Sequence, residues 1–181
     1  MILLREKRIL TSPLKAFDYN PDNRCGAVAS AILLKYYYDN VTKKVLPSKK
    51  FNTSNGRELI EYINSDYVKG LTDFHELTDG LNAYLKERGL GEPVRYMCVK
   101  PYIYTFFLIR RYIRRGLPVI VKIRKHPNYN SHWGVANGYR MGFLLRNRYI
   151  YLNDGYGKEC VTMPSRYISG AVYIDLKAFK C

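Results

Sequence analysis

Cys25, His132 and the neighbours Asn153 and Asp154 are the side chains whose surroundings suit chemistry. Cys25 follows a polar turn, YNPDNR, and opens an apolar run, GAVASAILLKYY, that reads as a helix. A thiol at a helix N-terminus feels the positive end of the macrodipole and the nearby amide hydrogens, and both favour the nucleophilic thiolate. Gly26 beside it would leave room for a substrate backbone. The commonest fate of a free cysteine is that of a small buried hydrophobe, so a nucleophile needs a partner. His132 lies in SHWGVANGY, a strand-like string, and a catalytic cysteine takes its base from a distant part of the chain. In YIYLNDGYG, Asn153 and Asp154 end a strand at a Gly-rich turn. A side-chain oxygen there can accept the imidazole N–H and fix its tautomer, although Asn-Asp-Gly is also ordinary turn chemistry.

The elements that would position these groups fall into a helical half and a strand half. Apolar residues at helical spacing predict helices over 25–38, 57–68, 74–88 and 102–115. Asp22 or Asn23 would cap the first, while Gly89 and Gly116 would end the last two. From Leu117 the period changes to two, predicting strands over 117–123, 131–139, 148–153 and 170–176 with a turn over 141–147. Helices first and strands second give an α+β arrangement, not βαβ alternation.

Composition narrows the function classes. With 47% hydrophobic residues and 18 Tyr in 181 residues, the chain has apolar surface enough to fold, unlike a disordered tail. No apolar run reaches the ~18–20 residues of a bilayer span. MILLREKRILTSPL has no secretory h-region, which implies a cytoplasmic protein or an exported domain lacking its signal segment. The four Cys are far apart and the three His lack metal-ligand spacing, so neither a zinc ribbon nor any other metal or cofactor site is expected. Cys98 and Cys160 read as core thiols, Cys181 as exposed, and His75 and His126 as structural or solvent-facing.

The net charge is +15. Between Pro93 and Asn153 there are 12 Lys/Arg and no Asp or Glu, whereas Glu58–Glu92 holds eight acidic residues and three basic ones. Such asymmetry fits a solvated basic face attracted to an acidic half, or a surface that recruits an anionic partner. No helix-turn-helix or ribonucleoprotein-type motif accompanies it, which argues against nucleic acid.

The order of Cys on a helix, His on a strand and Asn/Asp on the next strand resembles that of papain-like cysteine peptidases. CGAVASAILLKYYYD is similar to the nucleophile helix of bacterial members, HWGVANGY to their His strand and YLNDGYG to their third motif. The nearest groups are the bacteriocin-leader-processing-like peptidases and the streptopain/staphopain group. The resemblance spans about 19–176. It implies one papain-like catalytic domain over 1–181, with a mainly helical lobe at about 19–100 packed on an antiparallel sheet lobe at about 117–178.

The resemblance further implies a thiolate peptidase with Cys25 as nucleophile and His132 as acid and base on a peptide or protein substrate. The same residues would serve an acyltransferase or a glutamine deamidase, and a weakly catalytic binding module with a basic surface is a further alternative. Asn153 fits the streptopain-like third motif and Asp154 the leader-processing-like one, with Asn153 preferred as the residue orienting His132. Those families place a Gln six residues before the Cys, where this chain has Tyr19. Asn20 or Asn23 would then join the Cys25 N–H in the oxyanion hole. A basic sheet wall would favour acidic substrates.

Overall fold

The computed structural model describes residues 5–47, 56–70, 72–143 and 147–175. Cys181, the end of the last expected strand at Leu176 and the centre of the expected 141–147 turn lie outside them. The fold is α+β. Four helices, α1 (Cys25–Asn40), α2 (Arg57–Asp66), α3 (Phe74–Glu87) and α4 (Ile103–Arg114), pack with seven strands, β1 (Glu6–Ile9), β2 (Val94–Met97), β3 (Val119–His126), β4 (Asn130–Met141), β5 (Tyr149–Asn153), β6 (Val161–Pro164) and β7 (Ile168–Ile174).

Helix α1 is central because its sequence has almost no polar side. Every residue from Cys25 to Leu34 is buried, and its Gly, Ala and Ser side chains let α2 and the sheet close on it from different directions. Helices α2 and α3 are amphipathic and bury one face each, Leu59, Ile60 and Ile63 in α2 and Leu77, Leu81 and Leu85 in α3. Asp73 starts α3 by accepting the His75 and Glu76 N–H groups, while Glu76 reaches back to the Asp73 N–H. That reciprocal cap satisfies amides the helix itself cannot.

The strands form one antiparallel sheet in the order β2-β7-β3-β4-β5-β6. Strand β4 is long enough to serve two neighbours along one edge. Asn130–Ala136 pairs with β3, and Gly138–Met141 pairs with β1. His132 stands opposite Ile123, and Trp133 opposite Lys122. The first hundred residues are thus not purely helical, since they send β1 and β2 into the same sheet.

Four local expectations need correction. Neither Asp22 nor Asn23 caps α1. Arg24 is the N-cap, without a side-chain cap bond, and Asn23 instead turns the chain at φ 62°. Cys98 and Cys160 are exposed, because each lies just outside a short edge strand. The space over Gly26 does not await a substrate: a Cβ there would lie 2.6 Å from the Thr72 hydroxyl oxygen, so this glycine admits the loop before α3. Strands β1, β2 and β6, with four residues each, are additions to the expected set.

Candidate active site

The N-terminus of α1 and the start of β4 meet across an open cavity of about 530 Å³, lined among others by Asn20, Asn23, Cys25, His132, Asp154 and Tyr156. Cys25 is the first residue of α1 and is 8% exposed. Burial works against its thiolate, but hydrogen bonds from the His132 side chain and the Trp133 backbone outweigh it, helped by the charges of His132 and Lys122. The net effect holds the thiol below its ordinary pKa. Cys25 and His132, more than a hundred residues apart in sequence, therefore meet in one cavity, close enough for the imidazole to favour the thiolate.

The imidazole is restrained on every side. Its Nε2 lies 2.6 Å from the Asp154 backbone carbonyl, which can accept an N–H only, so Nε2 carries the hydrogen and Nδ1 is left for the sulfur. Tyr129 stacks on one ring face at 5.4 Å and Tyr156 stacks at 5.2 Å. Tyr129 in turn donates its hydroxyl to Asp154 Oδ2 at 2.9 Å. Burial, with that hydrogen bond second, pushes its own pKa up to about 12, so it remains a donor at neutral pH.

The residue that holds His132 was expected to act through a side chain, Asn153 or Asp154. The arrangement differs. Asn153 Oδ1 accepts the Gly155 N–H at 2.9 Å and its Nδ2 donates to the Lys15 carbonyl at 3.2 Å, which commits it to the turn and the N-terminal segment. The Asp154 carboxylate accepts from Tyr129, from the Tyr156 N–H and from the Lys158 N–H. Only its backbone carbonyl touches the imidazole. Both residues thus build the turn that aims that carbonyl, and Asp154, 1% exposed, also fixes the ring above.

On the helix side, Tyr19 points away from the cavity and donates its hydroxyl to Glu61 of α2, a carboxylate that also pairs with Arg24. Asn20, one residue on, lines the cavity, and its Nδ2 is buried without a hydrogen-bond partner among the described residues. A buried donor left open is costly, and this one belongs to a residue that lines the cavity. Gly155, at φ +76°, admits it: a Cβ there would lie 3.2 Å from Asn20 Nδ2. The first N–H groups of α1, which have no partner within the helix, lie at the same end as the thiol. Asn23 also lines the cavity.

Tyr129, Tyr156 and Lys122 went unremarked in the sequence. Lys122 alone carried a usable signal, as a charge in the apolar string LPVIVKI. His75 faces solvent beside Asp79, 2.9 Å away, and His126 packs on Tyr129 and Tyr167 outside the cavity. Among the described residues, no helix is long and apolar enough to cross a membrane, and no group of three or more His, Cys, Asp or Glu could hold a metal.

A helix led by a cysteine and packed on an antiparallel sheet that carries a histidine is the arrangement of the papain-like cysteine peptidase fold. A fragment of prointerpain A from Prevotella intermedia shares it, with a TM-score of 0.55 and 12% identity over 92% of this chain and 71% of that one. The chain belongs to the Peptidase_C39 like family, whose pattern it matches over residues 10–175. No curated protein matches it.

Proposed function

We propose that the protein is a cysteine peptidase that hydrolyses peptide or protein substrates in the cavity between α1 and β4. The observation that carries this reading is the buried Cys25 thiol, held below its ordinary pKa by His132 beside an unpaired amide donor from Asn20. The Cys25 sulfur attacks the scissile carbonyl carbon, and the carbonyl electron pair moves to oxygen. That oxyanion is met by the Cys25 N–H and by Asn20 Nδ2. His132, protonated at Nδ1, gives its proton to the leaving amine as the C–N bond breaks. Water then attacks the thioester, with His132 taking its proton, and release of the acid restores the thiolate. Throughout, the Asp154 carbonyl holds the Nε2–H and so keeps Nδ1 aimed at the sulfur. Asn153 and Asp154 serve as positioning residues.

The test is twofold. Iodoacetamide at pH 6 is expected to label Cys25 faster than free cysteine, and a peptide library is expected to be cut by the wild type and not by Cys25→Ala. Equal labelling rates would refute the activated thiolate. Labelling without cleavage, but with amide transfer to an added amine or loss of glutamine ammonia, would assign the thiol chemistry to acyl transfer or deamidation. Mass spectrometry distinguishes those products.

A further inference from the structure

A second, smaller cavity of about 270 Å³ opens beside the first, and Ser131, next to His132, lines both. Its other lining residues come from the start of α3 and the loop before it and from the β3–β4 hairpin, Thr72, Asp73, Phe74, Lys122, Arg124 and Lys125 among them. Lys122 is 7% exposed. Its ammonium lies 4.3 Å from the Trp133 ring centre and donates to the Thr72 carbonyl at 3.3 Å. That carbonyl already accepts the Trp133 indole N–H at 3.2 Å.

An ammonium has three N–H groups, and burying one without a carboxylate is expensive. No ion pair among the described residues includes Lys122. Arg124 and Lys125 stand exposed at the rim. Asp73, the one carboxylate among the described lining residues, is tied to the α3 amides and reaches Lys122 only through space, and it is outnumbered by Lys122, Arg124 and Lys125. Lys122 also feels the Cys25 thiolate through space, but among the described residues it donates only to the Thr72 carbonyl, and its remaining N–H groups at the floor of an open cavity suit a carboxylate.

We propose that this cavity takes an acidic side chain of the substrate on the amino-terminal side of the scissile bond, with Lys122 at its floor as the specificity-determining residue. The inference rests on Cys25 being the nucleophile that meets a bound peptide. It goes beyond a general attraction of the basic half for anions, because it assigns the preference to one side chain and one cavity. Arg124 and Lys125 would draw the anion in, and Lys122 would discriminate charge from shape.

The experiment needs no turnover. Peptidyl acyloxymethyl ketones matched except for Glu, Gln or Lys at successive positions before the ketone are incubated with wild type and Lys122→Met, and Cys25 alkylation is timed by mass spectrometry. At one position the Glu probe is expected to label the wild type about tenfold faster than the Gln probe, the scale of one charged hydrogen bond. That ratio should fall to near one in Lys122→Met, with the Lys probe gaining. A ratio near one in the wild type at every position, or an unchanged ratio in the variant, would overturn the subsite and leave the nucleophile standing. No labelling of Cys25 by any probe would overturn both. Should Lys122→Met fail to fold by circular dichroism, Lys122→Gln carries the same test, and a wild-type Glu/Gln ratio of about tenfold confined to one position supports the site where a ratio near one at every position refutes it.

Discussion

The two sides of the cavity are prepared differently. On the sheet side, His132 is held at Nε2 by the Asp154 carbonyl and stacked against two tyrosines. On the helix side, Asn20 Nδ2 is buried with no partner among the described residues. In the proposed mechanism the base has its neighbours before any substrate arrives, whereas the donor assigned to the transient charge is left open. Preorganised donors of this kind work because they need no reorganisation when negative charge appears on oxygen. A base must instead present one nitrogen in one tautomer, which restraint achieves.

Removing the proposed base should produce the largest effect. His132→Ala is expected to lower kcat by about 10⁴-fold or more, the scale of losing one member of a unit that acts together. The same variant should shift the pH profile of Cys25 alkylation. His132 and Lys122 pull the thiol below its ordinary value against burial, so the wild type should stay reactive as pH falls below the usual thiol range. His132→Ala, which removes the hydrogen bond and charge but not the burial, should lose reactivity at higher pH. Coincident profiles would break the pairing of sulfur and imidazole.

Asn20→Ala tests the open side. A donor met only in the transition state should cost about 10²–10³-fold in kcat with little change in KM. Stability should hold or rise slightly, because a buried group without a partner is removed. Loss of stability with unchanged kcat would assign Asn20 to the scaffold. Tyr129→Phe probes the restrained side more gently. It keeps the stacking ring but deletes the hydrogen bond to Asp154 Oδ2, and a decrease of about tenfold in kcat at constant KM corresponds to one such bond. A merely structural hydroxyl would lower the melting temperature without that split.

What was legible in the sequence follows the same contrast. Helices α2 and α3 and strands β3, β4, β5 and β7 stand out because apolar residues recur at their proper periods, α1 because it is an apolar run, and Cys25 and His132 because their residue types are rare and reactive. Strands β1, β2 and β6, reading EKRI, VRYM and VTMP, are too short and too polar to show a period. They are strands because distant partners offer hydrogen bonds. The contact that holds His132 was hidden for another reason. A backbone carbonyl has no residue type, so Asn153 and Asp154 drew attention while the group that touches the ring was the peptide between Asp154 and Gly155. Tyr129 and Tyr156 were hidden among 18 tyrosines, most of which pack rather than act.

The smallest expected effect lies farthest from the chemistry and concerns β1. Glu6 on this edge strand accepts from Arg110 of α4 at 2.6 Å and from the Tyr139 hydroxyl of β4, fastening the strand to both. Burial raises the Glu6 pKa, but the hydrogen bonds from Tyr139 and Arg110 and the nearby arginine charges outweigh it, leaving a net depression. A carboxylate whose folded pKa lies below its unfolded one adds stability that is complete above the ordinary Glu range near 4.3 and is lost as pH falls through the folded value. Glu6→Gln should therefore cost about 1–2 kcal/mol at pH 7, and the difference from wild type should shrink as the pH is lowered through that window. Because β1 pairs with the far half of β4, Gly138–Met141, and not with the half that carries His132, Cys25 alkylation at 25 °C should be unchanged. A variant that lost alkylation together with stability would show that both ends of β4 move as one unit and that the restraint on the imidazole extends to the edge of the sheet.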